Sequence, residues 1–291
     1  MFKGSLVALI TPFRDGAVDE TAFQEHVAWQ LGQGTHGLVP IGTTGECPAL
    51  EEEEQERLIA LTVEVAKGRA PVIAGTGFNS TSHTIHATKV AKKAGADAAL
   101  VVCPYYNKPT QEGLYQHFKA VHDAVDLPIV IYNIPGRSVV DMSNATMARL
   151  AKLPNIVGVK DATNDLARPL KMRVEIGEDF CLLSGEDATA VAYLAQGGDG
   201  VISVTANVAP RLCAEMHEAW QKGDVATVRK INERLIPLHD ALFVETSPAP
   251  VKYAASLLGR CTPEIRQPLW RTTPETQEKV MRAMRGAGLL N

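Results

Sequence analysis

Lys160 stands at the end of a strongly apolar segment, IVGVKDA, which begins at residue 156. The alternation of side chains along a strand predicts Ile156 and Gly158 on the side of Lys160 and the two valines on the opposite side. A lysine of ordinary pKa, near 10.4, is almost fully protonated at neutral pH and becomes a nucleophile where apolar surroundings desolvate it. The segment therefore predicts an amine that can attack a carbonyl carbon. The alternatives are a lysine that reaches solvent or one that pairs with Asp161.

Tyr132 and Arg137 lie in a second segment, IYNIPGR, at and just beyond the end of another apolar run. A tyrosine can pass a proton without carrying a permanent charge, and a guanidinium can hold a carboxylate through two parallel hydrogen bonds. Together with Lys160, these groups favour a Schiff-base enzyme that acts on carboxylated carbonyl compounds.

Hydroxyl groups follow two more apolar runs. GTTGE contains Thr43 and Thr44 between glycines that let the backbone approach a ligand, although the same residue types also fill plain turns. CPYYNKP contains Tyr105 and Tyr106 between prolines, which predicts a stiff exposed loop that can reach another subunit. The alternative for these two tyrosines is ordinary packing.

The elements that must position these groups are short apolar runs that alternate with longer amphipathic stretches. Such near-continuous runs predict parallel strands buried on both faces, and eight strand and helix units in about 220 residues favour a (β/α)8 TIM barrel over an open sheet. Active sites of this fold lie where the strands end. The runs are LVALITP, GLVPIG, PVIAGTG, AALVVCP, PIVIYNI, IVGVKDA, FCLLSGE and GVISVTA.

Three further helices are predicted after the eighth unit, where no strand pattern remains. Ser247-Pro248 and Thr273-Pro274 mark the starts of the later two, since a capping residue before a first-turn proline is typical of a helix N-terminus. We therefore expect a catalytic barrel over residues 1–224 and a C-terminal three-helix region over residues 225–291.

Composition argues against several classes of protein. A formal net charge of −4 and a pI near 6.1 give no basic field for nucleic acid. The five cysteines are odd in number and widely spaced, which favours reduced thiols over a disulfide framework or a zinc site. The apolar start of the chain is too short for a membrane span. We expect a cytoplasmic protein without a metal or cofactor.

The segments GTTGE, YYNKP, YNIPGR, GVKDAT, LLSGED and SPAPVKYA together resemble the dihydrodipicolinate synthases. This family belongs to the pyruvate-dependent aldolase superfamily, which also includes N-acetylneuraminate lyase. The resemblance covers essentially the whole chain, although GTTGE and the lysine strand are shared by much of the superfamily.

The resemblance implies that Lys160 condenses with the ketone of pyruvate and that the resulting enamine attacks the aldehyde of aspartate semialdehyde. The adduct then cyclises to 4-hydroxy-tetrahydrodipicolinate, on the route to lysine and diaminopimelate. Tyr132 would be the main proton donor and acceptor. Thr43 would link it to Tyr106, which reaches in from a neighbouring subunit.

The resemblance also assigns substrate contacts. Thr44 and the backbone of Ile202 would hold pyruvate, and Arg137 would bind the carboxylate of the semialdehyde. The family's usual assembly is a homotetramer built as a dimer of tight dimers, so that the borrowed Tyr106 makes the dimer the catalytic unit.

One departure concerns feedback inhibition. Inhibited bacterial members bind lysine at the dimer interface through two histidines, a glutamate and an asparagine beside a tyrosine. Both histidines and the glutamate are replaced in this sequence, which predicts weak or absent inhibition by lysine. The matching positions are Glu52, Gln55, Asn79, His83 and Tyr105.

Two alternative functions stay open. A sialic-acid or sugar-acid lyase would keep Lys160 and Tyr132 but needs a polyol-binding mouth, so Arg137 argues against it. The other alternative is a catalytically silent barrel that serves as a binding protein.

Overall fold

The computed structural model describes residues 2–291. Its strands are β1 (Gly4–Ala8), β2 (Phe13–Arg14), β3 (Ala17–Val18), β4 (Gly37–Val39), β5 (Ile73–Gly75), β6 (Ala98–Val102), β7 (Ile129–Asn133), β8 (Ile156–Asp161), β9 (Cys181–Ser184) and β10 (Gly200–Ser203). Its helices are α1 (Glu20–Gly32), α2 (Glu52–Ala66), α3 (Thr81–Lys93), α4 (Gln111–Ala124), α5 (Pro135–Ser138), α6 (Asn144–Leu150), α7 (Arg168–Ile176), α8 (Ala190–Ala195), α9 (Pro210–Gln221), α10 (Val225–Ala241), α11 (Ala249–Leu257) and α12 (Pro274–Gly286).

Each predicted apolar run overlaps a strand, and the parallel strands β1 and β4 to β10 with their helices form the predicted (β/α)8 barrel. The antiparallel hairpin of β2 and β3 was not predicted, because two-residue strands leave too short a pattern. Helices α10 and α12 begin where expected, since Asp224 caps α10 and Thr273 caps α12. The predicted cap of α11 is wrong, because its N-cap is Pro248 and not Ser247, and no side chain caps it. The division into domains at residue 224 stays a prediction.

One compact unit comprises Pro71–Ile202 together with residues 2 and 3. Its strands are parallel and pair in the order β5, β6, β7, β8, β9, β10. The alternate residues Ile129 and Ile131 of β7 pack against Leu114 and Phe118 of α4 and Met147 of α6 in a continuous buried core. This core holds the strands whose ends carry Tyr132 and Lys160.

The other compact unit comprises Gly4–Ala70 and Ser203–Asn291. Strands β1 and β4 pair in parallel, with Val7 opposite Leu38. Helix α2 begins with a capping box between Glu51 and Glu54, and Lys67 forms its C-cap in a left-handed conformation. Two single turns of 3-10 helix, Thr43–Gly45 and Cys47–Ala49, separate β4 from α2.

No helix within residues 2–291 is both long enough and apolar enough to cross a membrane. In the same residues, no three histidine, cysteine or acidic side chains are arranged to hold a metal ion. The five cysteines are free thiols.

Candidate active site

Lys160 lies near the end of β8 with its side chain buried, since only 6% of the residue is exposed. Its partners across the sheet are Tyr132 of β7 and Leu183 of β9. The predicted position of Ile156 on the same side is wrong. The β7 and β8 pairing shifts by one residue, so Ile129 faces Ile156 but Val130 faces Gly158.

This irregularity in β8 leaves one extra residue, Val157, and a bulge of this kind resets the alternation of side chains. Ile156 consequently joins Val159 in the apolar core that faces the helices. Lys160 nevertheless keeps its predicted position near the end of the strand, and the structure places it opposite Tyr132.

The Lys160 amine lies beside an aromatic ring. Its Nζ lies 4.2 Å from the centroid of the Tyr132 ring. The ring covers one side of the buried amine and limits the access of water there. Within the described chain no carboxylate forms an ion pair with Lys160. The phenol of Tyr132 belongs to the ring that lies beside the amine.

Asp161, the next residue, belongs to a charged network that the sequence did not reveal. Its carboxylate accepts the Thr163 N–H at 2.9 Å and lies 3.3 Å from Nε of Arg168, which also contacts Asp141 at 3.1 Å. Burial raises the pKa of Asp161 above its usual value, and the contacts with Thr163 and Arg168 oppose this change. The carboxylate is therefore engaged away from Lys160, which excludes the predicted alternative of a Lys160–Asp161 pair.

Glu186 is a second acidic group that sequence reasoning missed. It follows β9, where its N–H donates to the Ser184 hydroxyl at 3.1 Å. Burial raises the pKa of Glu186, and the positive charge of Lys160 is the largest influence that lowers it. Glu186 is thus a partly buried carboxylate within electrostatic range of the amine. LLSGED, with its two acids after an apolar run, was the available signal.

Arg137 and Tyr106 lie on exposed segments of the same unit. Arg137 sits in α5, directly after β7, and is exposed. Tyr106 follows β6, is 89% exposed and has a positive φ of 73°. The exposed aromatic predicted for this loop is confirmed. Ile202 is buried within β10, where only 1% of it is exposed.

Thr43 and Thr44 belong to the other compact unit. They form the 3-10 turn that follows β4, with Thr44 buried and Thr43 partly exposed. The Gly45 N–H donates to Gly42 O at 3.0 Å and the Glu46 N–H to Thr43 O at 3.1 Å, so the turn is closed by its own backbone. The two hydroxyls therefore stand on a well-defined turn at the carboxyl end of a strand.

The five positions matched to the lysine site of inhibited family members lie in both compact units. Glu52 and Gln55 belong to one unit, and Asn79, His83 and Tyr105 belong to the other. Gln55 donates to Leu50 O at 3.0 Å, and exposed Glu52 lies in the first turn of α2. His83 packs against Phe78 with ring centroids 5.4 Å apart. Asn79 accepts through its carbonyl from Asn107 at 2.8 Å, and Tyr105 is partly buried.

Comparison with known proteins relates this chain to enzymes along its whole length. The model of the dihydrodipicolinate synthetase family matches residues 1–287. The 4-hydroxy-tetrahydrodipicolinate synthase of Rhodospirillum centenum is 69% identical over 290 residues, which cover 100% of both chains.

Solved structures give the same result. The dihydrodipicolinate synthase of Aquifex aeolicus is 46% identical, with a TM-score of 0.97 over 99% of both chains. The chloride-inhibited dihydrodipicolinate synthase of Acinetobacter baumannii, complexed with pyruvate, is 45% identical, with a TM-score of 0.97 over 100% of both chains. With matches of this extent, the chain belongs to the dihydrodipicolinate synthetase family.

Proposed function

We propose that this protein is a lyase that condenses pyruvate with aspartate 4-semialdehyde to form 4-hydroxy-tetrahydrodipicolinate. The observation that carries the proposal is the buried Lys160 amine, 4.2 Å from the centre of the Tyr132 ring at the end of β8. The names of the similar enzymes supply the product, and the Acinetobacter baumannii complex supplies pyruvate. The semialdehyde is the second substrate that the resemblance of the sequence motifs implies.

The reaction begins when Nζ of Lys160 attacks the ketone carbon of pyruvate. Loss of water from the adduct gives a Schiff base, and removal of a methyl proton gives an enamine. The enamine carbon then attacks the aldehyde carbon of the semialdehyde, and the aldehyde oxygen takes up a proton. Finally, the amino group of the semialdehyde attacks the Schiff-base carbon and displaces Lys160, which closes the ring.

Tyr132 is proposed as the group that moves these protons, because its phenol is carried by the strand directly paired with β8. Thr43 would connect Tyr132 to the phenol of Tyr106 from a second copy of the chain. The 89% exposure of Tyr106 in one chain supports this assignment, since a catalytic phenol needs a partner surface to cover it.

Substrate positions are proposed for three further residues. Thr44 would bind the pyruvate carboxylate together with the backbone of Ile202, a buried strand residue. Arg137, exposed after β7, would bind the carboxylate of the semialdehyde through a bidentate contact.

The assembly is proposed to be a homotetramer made of two dimers, and its compartment the cytoplasm, in keeping with five free thiols. Lysine is proposed to inhibit weakly or not at all, because Glu52, Gln55 and His83 occupy the positions where the resemblance places two histidines and a glutamate in inhibited members. The catalytic roles are assigned to residues 1–224 and none to residues 225–291.

Turnover with a panel of aldehydes tests the proposed substrates. We expect pyruvate with aspartate 4-semialdehyde to give the cyclic product, and pyruvate with N-acetylmannosamine or a simple sugar aldehyde to give none. Condensation with the sugar aldehydes but not with the semialdehyde would instead establish the sialic-acid or sugar-acid lyase function.

A further inference from the structure

Two charged side chains in the sequence motifs have no part in the roles assigned above. Glu46 ends GTTGE and Lys252 lies in SPAPVKYA, 206 residues later. In the structure, Lys252 Nζ donates to Glu46 Oε1 at 2.6 Å, and neither side chain is more than 1% exposed. The two motifs are therefore joined by a fully buried ion pair within one compact unit.

The surroundings of this ion pair satisfy both charges. The second carboxylate oxygen of Glu46 accepts the Arg266 N–H at 2.9 Å. The Phe13 ring contacts both cations, with Lys252 Nζ 4.1 Å and Arg266 Cζ 4.4 Å from its centroid. The Arg266 guanidinium is itself fixed by two hydrogen bonds of 2.6 Å to Glu54. Glu46 is thus held from several directions.

The backbone of Glu46 directly follows the turn that carries Thr43 and Thr44. Its φ of 58° and ψ of 34° are left-handed, a conformation that is unfavourable for a residue with a side chain. Glu46 ends the turn Thr43–Gly45, whose Gly45 carbonyl also accepts a hydrogen bond from the Thr11 hydroxyl at 2.7 Å. Anchoring the Glu46 side chain therefore holds this turn in its observed form.

Stability alone gives little reason to bury two charges, since well-packed apolar residues of similar volume stabilise a fold at least as well. A short ion pair differs from apolar packing in fixing the direction of the groups that it joins. We propose that Glu46 and Lys252 are positioning residues that hold the hydroxyls of Thr43 and Thr44 in their catalytic orientation. This inference rests on the proposed function of those two threonines.

Three variants test the proposal: Glu46→Gln, Lys252→Met and the double variant that carries both. For each, kcat is normalised to the fraction of Lys160 that saturating pyruvate and borohydride can trap, which removes any unfolded enzyme from the rate. We expect the normalised kcat to fall about ten- to hundredfold, because small displacements of catalytic groups have effects of this size. The KM for pyruvate should rise, whereas that for the semialdehyde, assigned to Arg137, should stay within twofold.

The double variant separates positioning from stability. It leaves no uncompensated buried charge, so its thermal midpoint should recover relative to either single variant while its kcat stays low. Asp199→Asn is the matched control, because it breaks a 2.7 Å ion pair with Arg173 at the amino end of β10 and should leave the normalised kcat within twofold. Recovery of kcat together with the thermal midpoint in the double variant would overturn the proposal.

Glu46→Asp keeps both charges and shortens the anchor by one methylene group, so it serves where the neutral variants do not fold. It should lower the normalised kcat by the same factor, and an unchanged kcat would also overturn the proposal. Failure of the wild-type enzyme to form the Lys160 adduct is a separate outcome that would remove the proposed function itself.

Discussion

The proposed chemistry depends mainly on two side chains on neighbouring strands, Tyr132 and Lys160. The pairing of β7 with β8 sets these residues opposite each other, and the 4.2 Å between amine and ring centre follows from that register. From the sequence, the types of both residues and their places at strand ends could be predicted. The acidic residues Asp161 and Glu186 could not be assigned from the local pattern. The environment of Asp161 depends on burial and on Arg168, and that of Glu186 depends on burial and on Lys160.

Replacing Tyr132 by phenylalanine keeps the ring over Lys160 and removes only the phenol oxygen. We expect kcat to fall by about 10²- to 10⁴-fold, the usual contribution of a general acid and base. The thermal midpoint should stay close to that of the wild-type enzyme. Steady-state kinetics with thermal unfolding measure both, and a kcat within threefold of wild type would exclude Tyr132 as the proton carrier.

His26 gives a pH dependence of stability that is independent of catalysis. The ring is fully buried against Asn207, and burial lowers its pKa from 6.5 to about 4 despite that hydrogen bond. The unfolded chain therefore takes up a proton near pH 6.5 that the folded chain binds only near pH 4. The stability contributed by neutral His26 is complete above pH 6.5 and is lost as the pH falls toward 4.

Urea unfolding at pH 7 and pH 4.5 measures this effect in the wild-type protein and in His26→Gln, which has no titrating ring. The wild-type protein should lose about 2–3 kcal/mol more between the two pH values than the variant loses. An equal loss in both proteins would mean that His26 is protonated in the folded state.

At the scale of elements, β8 is the strand that sequence reasoning described least well. IVGVKDA predicted the strand and the direction of Lys160, but the bulge at Val157 turned Ile156 toward the helices. A bulge depends on the register with a neighbouring strand, and a single alternating segment does not encode that register. The contact between Glu46 and Lys252 was also not predicted, because it joins segments 206 residues apart and neither segment alone indicates its partner.

Gly158→Ala tests how tightly β8 is held beside β9. A Cβ at Gly158 would lie 2.5 Å from the Cys181 carbonyl oxygen, so the backbone of one strand must move. We expect a loss of about 1–3 kcal/mol in the free energy of unfolding and a clear loss of kcat, because Lys160 moves with β8. Gly32→Ala in α1 is the control, since a Cβ there meets nothing within 4 Å. A Gly158→Ala enzyme as stable and active as this control would contradict the packing described for β8.

At the scale of the whole molecule, the prediction from the sequence was most complete. The repeated strand and helix pattern predicted the barrel, and the start of the terminal helices at Asp224 was also placed correctly. A single chain leaves Tyr106 almost fully exposed, whereas the proposed relay needs that phenol inside an active site. The proposed dimer would resolve this difference by bringing Tyr106 of one copy to Thr43 of the other.

Mixed dimers test the contribution of Tyr106 between subunits. Tyr106→Phe and Lys160→Ala should each fold and be nearly inactive alone. After equal amounts are unfolded and reassembled together, half of the dimers carry one intact site, so about a quarter of wild-type activity should return. Each variant reassembled alone is the control. Mixtures no more active than these controls would place Tyr106 outside the active site of the partner.

Reductive trapping at Lys160 tests the central claim most directly. The protein is incubated with pyruvate and borohydride, digested, and analysed by peptide mass spectrometry beside a Lys160→Arg variant. We predict one reduced pyruvyl adduct per chain, located on the peptide that contains Lys160 and absent from the variant. No adduct on the wild-type chain, or an adduct on another lysine that persists in the variant, would contradict Schiff-base catalysis by Lys160.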